Sequence, residues 1–420
     1  MRIYTTLLAY LRSRRLNKKL NSRLIIKAYH QKKLKRLSQY LSSHIPFYSK
    51  NSLSDFHAYP VIDKQTLLSH FGKMNSHGIT LNRLKSSILD GTFEVSGFKT
   101  GHSTGTSGNR GYYIISERER FVWLGTILAK TIPNALWARH NVALILPGMS
   151  SLYTAAKKGN RVNIRFFDLS LGLAAWEEEL ANFSPDTIVA PPKILRHLAE
   201  AKSLTAQNIF SSAEVLDPID KTIIEKQTGK TLRQIYMATE GLLGVSCQYG
   251  TLHLAEDVVH FEWEPVPNSH LVSPIITDFT RRTQAMARYK LNDLLELSNE
   301  PCACGSAFQA VSRIEGRSDD VFHLPDAEGH LQLITPDVLR NRLIDLDDRI
   351  LDFRIIQTGR DKIIIRLHDD LVPQVSDAVK NTFLKLFQGL NLGKINLVIE
   401  GGISIPFDQK LRRVRRDWSP

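Results

Sequence analysis

Cysteine, long apolar runs and acidic residues near the N-terminus are all scarce in this 420-residue sequence. Three cysteines give no disulfide framework, which favours a reducing compartment. No apolar run reaches the length of about 18 residues that a membrane-spanning helix needs. The short apolar run at residues 3–11 precedes the basic residues, and no small-residue cleavage site follows it. We therefore expect a cytoplasmic protein without a cleaved leader.

The absence of acidic residues from the N-terminal region concentrates the net charge there. Residues 1–50 contain thirteen Lys and Arg and no Asp or Glu. Removing those thirteen from the 55 basic residues leaves 42, which equals the 42 acidic residues of the whole chain. The formal charge of +13 therefore belongs to a basic N-terminal segment on a charge-balanced body.

This basic segment, residues 1–50, is predicted to be a helical arm. Leucines recur in it at three- and four-residue spacing until Pro46, at Leu16, Leu20, Leu24, Leu34, Leu37 and Leu41. We expect Leu16, Leu20 and Leu24 to pack on the body while the lysines face water. The alternative is that residues 1–36 lie on an anionic membrane surface.

The rest of the chain predicts an α/β protein of two domains. Short β-rich runs alternate with helical stretches from about residue 96, which favours a parallel sheet covered by helices. The strands are predicted at 141–146, 186–189, 231–236, 270–277 and 285–291, with helices at 173–183 and 193–202. After Asp320 a helix, two strands, a helix and a strand make a small α+β unit. We therefore expect a large domain over 51–318 and a small C-terminal domain over 319–420.

A loop rich in Gly, Ser and Thr, residues 101–111 (GHSTGTSGNRG), can surround phosphate oxygens with N–H and O–H donors. It is not a P-loop, because no Lys-Ser/Thr pair follows its last glycine. Residues 236–240 (YMATE) follow a predicted strand, where an α/β sheet places ligand-binding groups. An aromatic ring there can stack a base, and a carboxylate can hold Mg²⁺.

Several segments occur in an order that resembles the adenylate-forming enzymes (acyl-CoA ligases, luciferases and adenylation domains). The branch that contains phenylacetate–CoA ligase and coenzyme F synthetase-like proteins, the CapK-like branch, is the most similar. The resemblance extends from about Leu37 to Lys410. Its markers are residues 43–48 (SHIPFY), the Gly-rich loop, 211–214 (SSAE), 236–240, Asp278, 288–293 (RYKLND), 302–305 (CACG) and 313–320 (RIEGRSDD). It implies a large domain with parallel-sheet subdomains and a smaller, mobile C-terminal α+β domain.

The resemblance also implies a role for individual residues. The ATP triphosphate would contact Ser103, Thr104, Gly105, Thr106, Ser107 and Gly108. The adenine pocket would contain Ala213, Glu214 and Tyr236, with Thr239 on the α-phosphate and Glu240 on Mg²⁺. Asp293 would bind the ribose hydroxyls beside Arg317, Asp319 would be the hinge, and Lys410 would bridge the substrate carboxylate and the α-phosphate.

The sequence departs from the family pattern at three places. Asn109-Arg110 replaces the usual Lys-Pro of the loop, Met237 replaces a glycine, and Lys290 and Asn292 alter the motif before Asp293. None of these changes removes the Mg²⁺ carboxylate, the ribose carboxylate or the terminal lysine. The departures therefore affect details of the pocket more than the class of reaction.

The three cysteines form a second candidate site with one histidine. Cys247, His253, Cys302 and Cys304 make up a Cys₃His set, a common composition for tetrahedral zinc. Their spacing differs from the usual paired C-x2-C pattern, so unrelated buried cysteines are the alternative. A closed four-ligand site of this kind would be structural.

The function expected from these features is activation of an aryl or fatty acid by ATP and Mg²⁺, followed by transfer to CoA or a carrier-protein thiol. Transfer of AMP to a hydroxyl group is an alternative within the same branch. A basic zinc protein that binds nucleic acid without catalysis is an alternative from another class, although the arm's aromatic residues are too dispersed for base stacking. Acid selectivity is expected to depend on residues within about 120–240.

Overall fold

The computed structural model describes residues 2–49, 55–103, 110–146, 161–407 and 410–419. The ten α-helices found in these ranges are α1 (Arg2–Lys19), α2 (Arg23–His44), α3 (Lys64–Ser69), α4 (Leu81–Leu89), α5 (Glu117–Thr131), α6 (Glu177–Phe183), α7 (Pro192–Glu200), α8 (Pro218–Thr228), α9 (Pro336–Ile344) and α10 (Val372–Gly389). None of these helices is both long and apolar enough to cross a membrane.

A small antiparallel sheet precedes the main body. It consists of β1 (Glu94–Val95), β2 (Phe98–His102) and β3 (Tyr112–Ile115) in the order β1-β2-β3. Strands β2 and β3 are neighbours in this sheet, so the Gly-rich loop connects two paired strands. Residues 104–109 of that loop lie outside the described part of the chain.

The largest sheet combines a parallel half with an antiparallel half. Its parallel strands are β4 (His140–Leu146), β5 (Val162–Asp168), β6 (Thr187–Ala190), β7 (Asn208–Ser211) and β8 (Leu232–Ala238). They run in the order β5-β4-β6-β7-β8. Strand β4 is almost wholly buried, as expected for a parallel strand covered on both faces. The strands predicted at 141–146, 186–189 and 231–236 are therefore confirmed within one or two residues.

The antiparallel half extends the same sheet beyond β8. Its strands are β9 (Gly241–Ser246), β10 (Leu252–Leu254), β11 (Val259–Pro265), β12 (Val272–Asp278), β13 (Tyr289–Lys290), β14 (Asp293–Ser298) and β15 (Ala310–Arg317). The order continues from β8 as β9-β10-β15-β14-β12-β11, with β13 also paired to β12. The predicted strand over 285–291 was wrong, because only Tyr289 and Lys290 pair there. The sheet as a whole is mixed.

Helices cover the parallel half on two sides. Helices α6, α7 and α8 follow strands β5, β6 and β7 in the chain, and an apolar core lies between them and the sheet. A second core contains residues of α5 and of the strands. Helix α5 begins at a capping box in which Ser116 and Glu119 satisfy each other's backbone N–H groups.

The N-terminal arm is packed on this body along α1 and α2. Tyr10 donates a hydrogen bond to the Pro133 carbonyl at 2.6 Å, and Ser13 donates one to Asp257 at 2.8 Å. Arg23 pairs with Glu256 at 2.5 Å. Leu34, Leu37 and Leu41 of α2 are buried. The predicted packing is confirmed for Leu20 and for the partly buried Leu16, which lie in an apolar cluster with Phe308 of the body. For Leu24 it is wrong, because that side chain is 81% exposed.

The C-terminal region forms its own layer of helices and strands. A hairpin of β16 (Phe322–Pro325) and β17 (Leu331–Ile334) precedes a four-stranded sheet with a separate apolar core. That sheet contains β18 (Arg354–Gln357), β19 (Lys362–Arg366), β20 (Asn396–Glu400) and β21 (Val414–Arg416) in the order β20-β19-β18-β21. The small α+β unit expected after Asp320 is therefore present, with α9 starting at Pro336 as its sequence indicates.

Candidate active site

The site is organised by the tight connection between β8 and β9. Ala238 and Gly241 are register partners, so Thr239 and Glu240 form the turn. The Thr239 hydroxyl donates a hydrogen bond to Glu240 Oε2 at 2.8 Å. A side chain on Gly241 would place its Cβ 2.8 Å from Asp278 Oδ2, so only glycine fits this close approach. The turn therefore presents a hydroxyl and a carboxylate side by side.

The base of the Gly-rich loop lies against this turn. Ser103 and Gly111 are joined by two hydrogen bonds of 2.8 Å, one to the Gly111 carbonyl and one to the Ser103 hydroxyl. A Cβ built on Gly111 would lie 3.2 Å from Thr239 Oγ1 and 3.5 Å from Ser103 Oγ. The same point is 3.8 Å from Lys64 Cε. The structure thus brings Ser103 and Thr239 together; Thr104, Gly105, Thr106, Ser107 and Gly108 lie outside the described residues.

Tyr236 and Asp293 form a buried pair on neighbouring parts of the sheet. The Tyr236 hydroxyl donates to Asp293 Oδ2 at 2.6 Å. Burial raises the pKa of Asp293, whereas this hydrogen bond and the charge of Arg317 act in the opposite direction. Burial and the nearby carboxylate raise the pKa of Tyr236. Arg317 is the register partner of Asp293 across β14 and β15, so the structure places Arg317 beside Asp293.

Glu214 lies three residues after the end of β7, close to Lys410 and Leu411 of the C-terminal segment. Lys193 Nζ is 3.5 Å from Glu214 Oε1 and donates to the Pro406 carbonyl at 3.0 Å. Burial raises the pKa of Glu214, while Lys193, Lys410 and the Leu411 amide stabilise its charged form. Ala213, beside it, is exposed and has a φ of 70°, a strained backbone conformation for a residue with a side chain.

Lys410 reaches this region from the far end of the sequence. The residue as a whole is exposed, but the protein packed around its amine removes water from it. This loss of hydration lowers the pKa of Lys410, and the charge of Arg317 lowers it further. The charges of Glu214 and Asp293 oppose that shift. Lys410 is thus placed among groups that come from three other segments of the chain.

Asp319 follows Arg317 in a three-residue helical turn, residues 318–320, between β15 and β16. Its carboxylate lies 3.5 Å from the Arg317 guanidinium. The predicted hinge residue therefore stands in the short connection between the large sheet and the C-terminal region.

Two residues at the site were missed by the sequence analysis. Lys64, the first residue of α3, lies among Arg317, Glu240 and Asp319; burial and Arg317 lower its pKa. Tyr289 hydrogen-bonds to Glu240, and burial and that carboxylate raise the pKa of Tyr289. Both residues come from segments far from the turn in sequence, so spacing alone carried no signal for them.

The departures from the family pattern have identifiable positions. Lys290 forms an ion pair with Glu264, and Asn292 accepts a hydrogen bond from Ser318. Met237 lines an apolar cavity.

That cavity occupies the space between α5 and the parallel half of the sheet. The space that it offers to the centre of a water-sized sphere is about 60 Å³. Its lining falls within residues 123–237, inside the range expected for acid selectivity. Its lining side chains include Trp123, Leu128, Leu144, Ile164, Ile235 and Met237. Met237 lies two residues before Thr239, so one wall of the cavity is close to the turn of Thr239 and Glu240.

The four predicted metal ligands converge elsewhere in the sheet. The Sγ and imidazole nitrogen atoms of Cys247, His253, Cys302 and Cys304 lie within 4.8 Å of one another. The Sγ atoms of Cys247 and Cys302 are 3.7 Å apart, close to the separation of about 3.8 Å that a tetrahedral zinc with Zn–S bonds of about 2.3 Å requires. His253 Nδ1 is 3.1 Å from the Phe308 carbonyl, which leaves Nε2 for a metal.

The chain has the fold of the adenylate-forming acyl ligases, which confirms the resemblance at the level of the fold. It superimposes on 2-hydroxyisobutyryl-CoA ligase in its postadenylation state with a TM-score of 0.67 and 20% identity, covering 92% of this chain and 88% of that one. The TM-score to the thioesterification state of the same ligase is 0.53. A structure from the fatty acyl-adenylate ligases of E. coli and L. pneumophila is similar with a TM-score of 0.53 and 13% identity, covering 75% of this chain and 67% of that one.

Among curated proteins, the chain is similar to Protein CapK of Staphylococcus aureus, with 24% identity over 217 residues. The match covers 50% of this chain and 46% of CapK, so it spans about half of each protein. No protein-family model matches the sequence.

Proposed function

We propose that this protein activates an apolar carboxylic acid with ATP and Mg²⁺. The observation that carries the proposal is the convergence of Thr239, Glu240, Asp293 and Lys410 from separate segments. A carboxylate oxygen of the acid attacks the α-phosphorus of ATP, and pyrophosphate leaves. Because this step brings several anions together, it needs a metal ion held by a carboxylate, and fixed cations at the reacting centre.

The residues at the site divide this work. Glu240 would hold Mg²⁺, and Thr239 would donate to an α-phosphate oxygen. Asp293, held by Tyr236, would accept from the ribose hydroxyls, with Arg317 beside it. Lys410 would bind the acid carboxylate and the α-phosphate together. The adenine would lie by Ala213, Glu214 and Tyr236.

The triphosphate would meet hydroxyls and amides of the Gly-rich loop, from Ser103 to Gly108. Because Asn109-Arg110 replaces the usual Lys-Pro, the loop lacks the lysine found in the family pattern. Lys64 supports the same role from α3, because its side chain approaches Gly111, Ser103 and Thr239. We therefore assign Lys64 to the phosphates.

The acid is proposed to be an aryl or fatty acid. The cavity between α5 and the sheet is lined mainly by apolar side chains, and one of them, Met237, is two residues before Thr239. An apolar acid can bury its chain there and direct its carboxylate toward Thr239 and Lys410. A charged or strongly polar acid would lose hydration in this cavity without gaining partners.

The second half-reaction is proposed to be transfer to a thiol. The thiol sulfur of CoA or of a carrier protein attacks the acyl carbonyl carbon, and AMP leaves. Rotation of residues 319–420 about Asp319 would remove Lys410 from the site and admit the thiol. The higher TM-score to the postadenylation state supports assigning the present arrangement to the adenylation half-reaction.

The test is pyrophosphate release from ATP across a panel of aryl, fatty and amino acids. We expect release only with apolar acids, and its loss in Lys410→Ala and Glu240→Ala. Lys380→Ala, at an exposed lysine on α10, is the matched control and should behave as wild type. Release that persists in both site variants would contradict the mechanism. Mass spectrometry of the product distinguishes an acyl thioester from AMP attached to a hydroxyl.

We also propose that Cys247, His253, Cys302 and Cys304 hold a structural zinc ion. Glu240 and Cys247 stand at opposite ends of β9, about 20 Å apart at the usual rise per strand residue. The ion would therefore clasp β9, β10 and the loop before β15 without taking part in catalysis. Elemental analysis should find one zinc per wild-type chain and a large loss in Cys304→Ser. Metal-free wild-type protein would refute the proposal.

A further inference from the structure

The outward face of α1 carries a group of exposed apolar side chains. Ile3, Tyr4, Leu7, Leu8 and Leu11 are 85%, 65%, 36%, 48% and 45% exposed. Their spacing of three and four residues places them on one face over the first three turns of the helix. The other large apolar side chains exposed by the described residues are dispersed along the chain. Such a concentration marks an interaction surface.

Attachment of α1 to the body does not use this face. Ala9, Tyr10 and Ser13 are buried on the opposite side. A Cβ on Gly125 of α5 would lie 2.2 Å from the Thr6 carbonyl, so the two helices cross in close contact there. The helix is therefore held by one side while its apolar outer side remains available.

Basic residues continue the exposed face toward the C-terminal end of α1. Arg15 and Lys18 are four and seven residues after Leu11, which places them on the same side. Both are exposed, as are Arg12 and Lys19. No acidic residue occurs in residues 1–50 to offset these charges. The face thus consists of an apolar half followed by a cationic half.

We propose that this face of α1 docks the protein on an anionic lipid bilayer. The apolar side chains would enter the boundary between headgroups and acyl chains, with the arginines and lysines beside lipid phosphates. A nucleic acid would use the cations and leave the apolar half in water. A bilayer satisfies both halves of the face. This proposal is independent of the reaction catalysed at the distant turn.

Vesicle flotation with the full-length protein tests the proposal. The probes are vesicles of phosphatidylcholine alone and vesicles with roughly 30% phosphatidylglycerol. We expect binding to the anionic vesicles that weakens as salt is raised, and little binding to the neutral ones. Absence of binding to anionic vesicles, or preferential binding to an oligonucleotide or to an acidic protein, would overturn it.

Two variants separate the halves of the face. Leu7→Ser/Leu11→Ser and Arg15→Gln/Lys18→Gln should each lower vesicle binding by about tenfold or more. Leu89→Ser/Leu171→Ser, at two isolated leucines that are 86% and 69% exposed, is the matched control and should bind as wild type. Unchanged binding in both α1 variants would refute the assignment. Equal thermal unfolding midpoints confirm that the variants are folded.

Discussion

At the scale of single residues, the site depends on side chains that a tight turn and a paired loop bring together. Thr239 and Glu240 are adjacent in sequence, but Ser103 and Lys64 reach them from outside the sheet. Motif order was sufficient to name Thr239, Glu240, Asp293 and Lys410. It could not name Lys64, because that lysine becomes a site residue only through the packing of α3.

The first prediction concerns Lys64. Lys64→Ala should lower pyrophosphate release by about 10²-fold, because it removes a fixed cation from the phosphates. Lys64→Arg should recover part of the rate, since it keeps the charge. The measurement is the initial rate at saturating acid, with Lys380→Ala as control. A Lys64→Ala rate within about twofold of wild type would exclude this role.

The second prediction concerns the pH dependence of adenylation. The surrounding protein lowers the pKa of Lys410 below the ordinary lysine value of 10.5. The amine must be protonated to bind both anions, so the rate should fall as pH rises through this lowered pKa. The alkaline limb of the plot of rate against pH should therefore begin below the pH at which an ordinary lysine titrates. In Lys410→Arg, which remains charged, the limb should disappear even if the maximum rate is reduced. An unchanged limb would contradict the assignment.

At the scale of elements, the arm is bound to the body by a close helix crossing and by buried charge. Lys130 pairs with Asp257 at 2.7 Å, and Asp257 also accepts from Ser13 of α1. The leucine pattern predicted that helices would pack, but it could not predict which face each helix would bury. Leu24 belongs to the pattern and is exposed, whereas Tyr10 lies outside it and is buried.

The third prediction concerns the crossing of α1 and α5. Gly125→Ala should destabilise the protein by about 1–3 kcal/mol, because the added Cβ overlaps the backbone of α1. Gly389→Ala is the matched helical control, since no atom lies within 4 Å of its added Cβ. It should be neutral or slightly stabilising. Urea denaturation measures both. Equal effects of the two substitutions would show that the contact is not tight.

At the scale of the whole molecule, the C-terminal region docks on the N-terminal end of α8 through buried ion pairs. Arg413 contacts Asp220 at 2.7 Å and also pairs with Asp217, which Arg340 of α9 approaches to 3.4 Å. Burial alone would lower the pKa of Arg413, but the charges of Asp217 and Asp220 outweigh burial and raise that pKa. These pairs hold the arrangement that places Lys410 at the site, and rotation about Asp319 would have to break them.

The fourth prediction concerns this ionic contact. Arg413→Met should lower the free energy of unfolding by about 3–5 kcal/mol, because it removes the buried cation that Asp217 and Asp220 share. Arg415→Met is the control: its ion pair with Asp417 is partly exposed, so the loss should be below about 1 kcal/mol. Urea denaturation compares them. Similar losses in both variants would show that the buried pairs do not hold the region in place.

The sequence by itself determined the local features: the parallel strands, the C-terminal α+β unit, the concentration of charge in residues 1–50, and the motifs to which we assign the proposed reaction. These features follow from periodicity and residue chemistry over a few neighbouring positions. Only the tertiary structure decided the antiparallel half of the sheet, the place of Lys64 at the site, the convergence of Cys247 with Cys302, and which face of α1 is exposed. The physical reason is that each of these depends on contacts between distant segments, and their geometry is absent from local spacing.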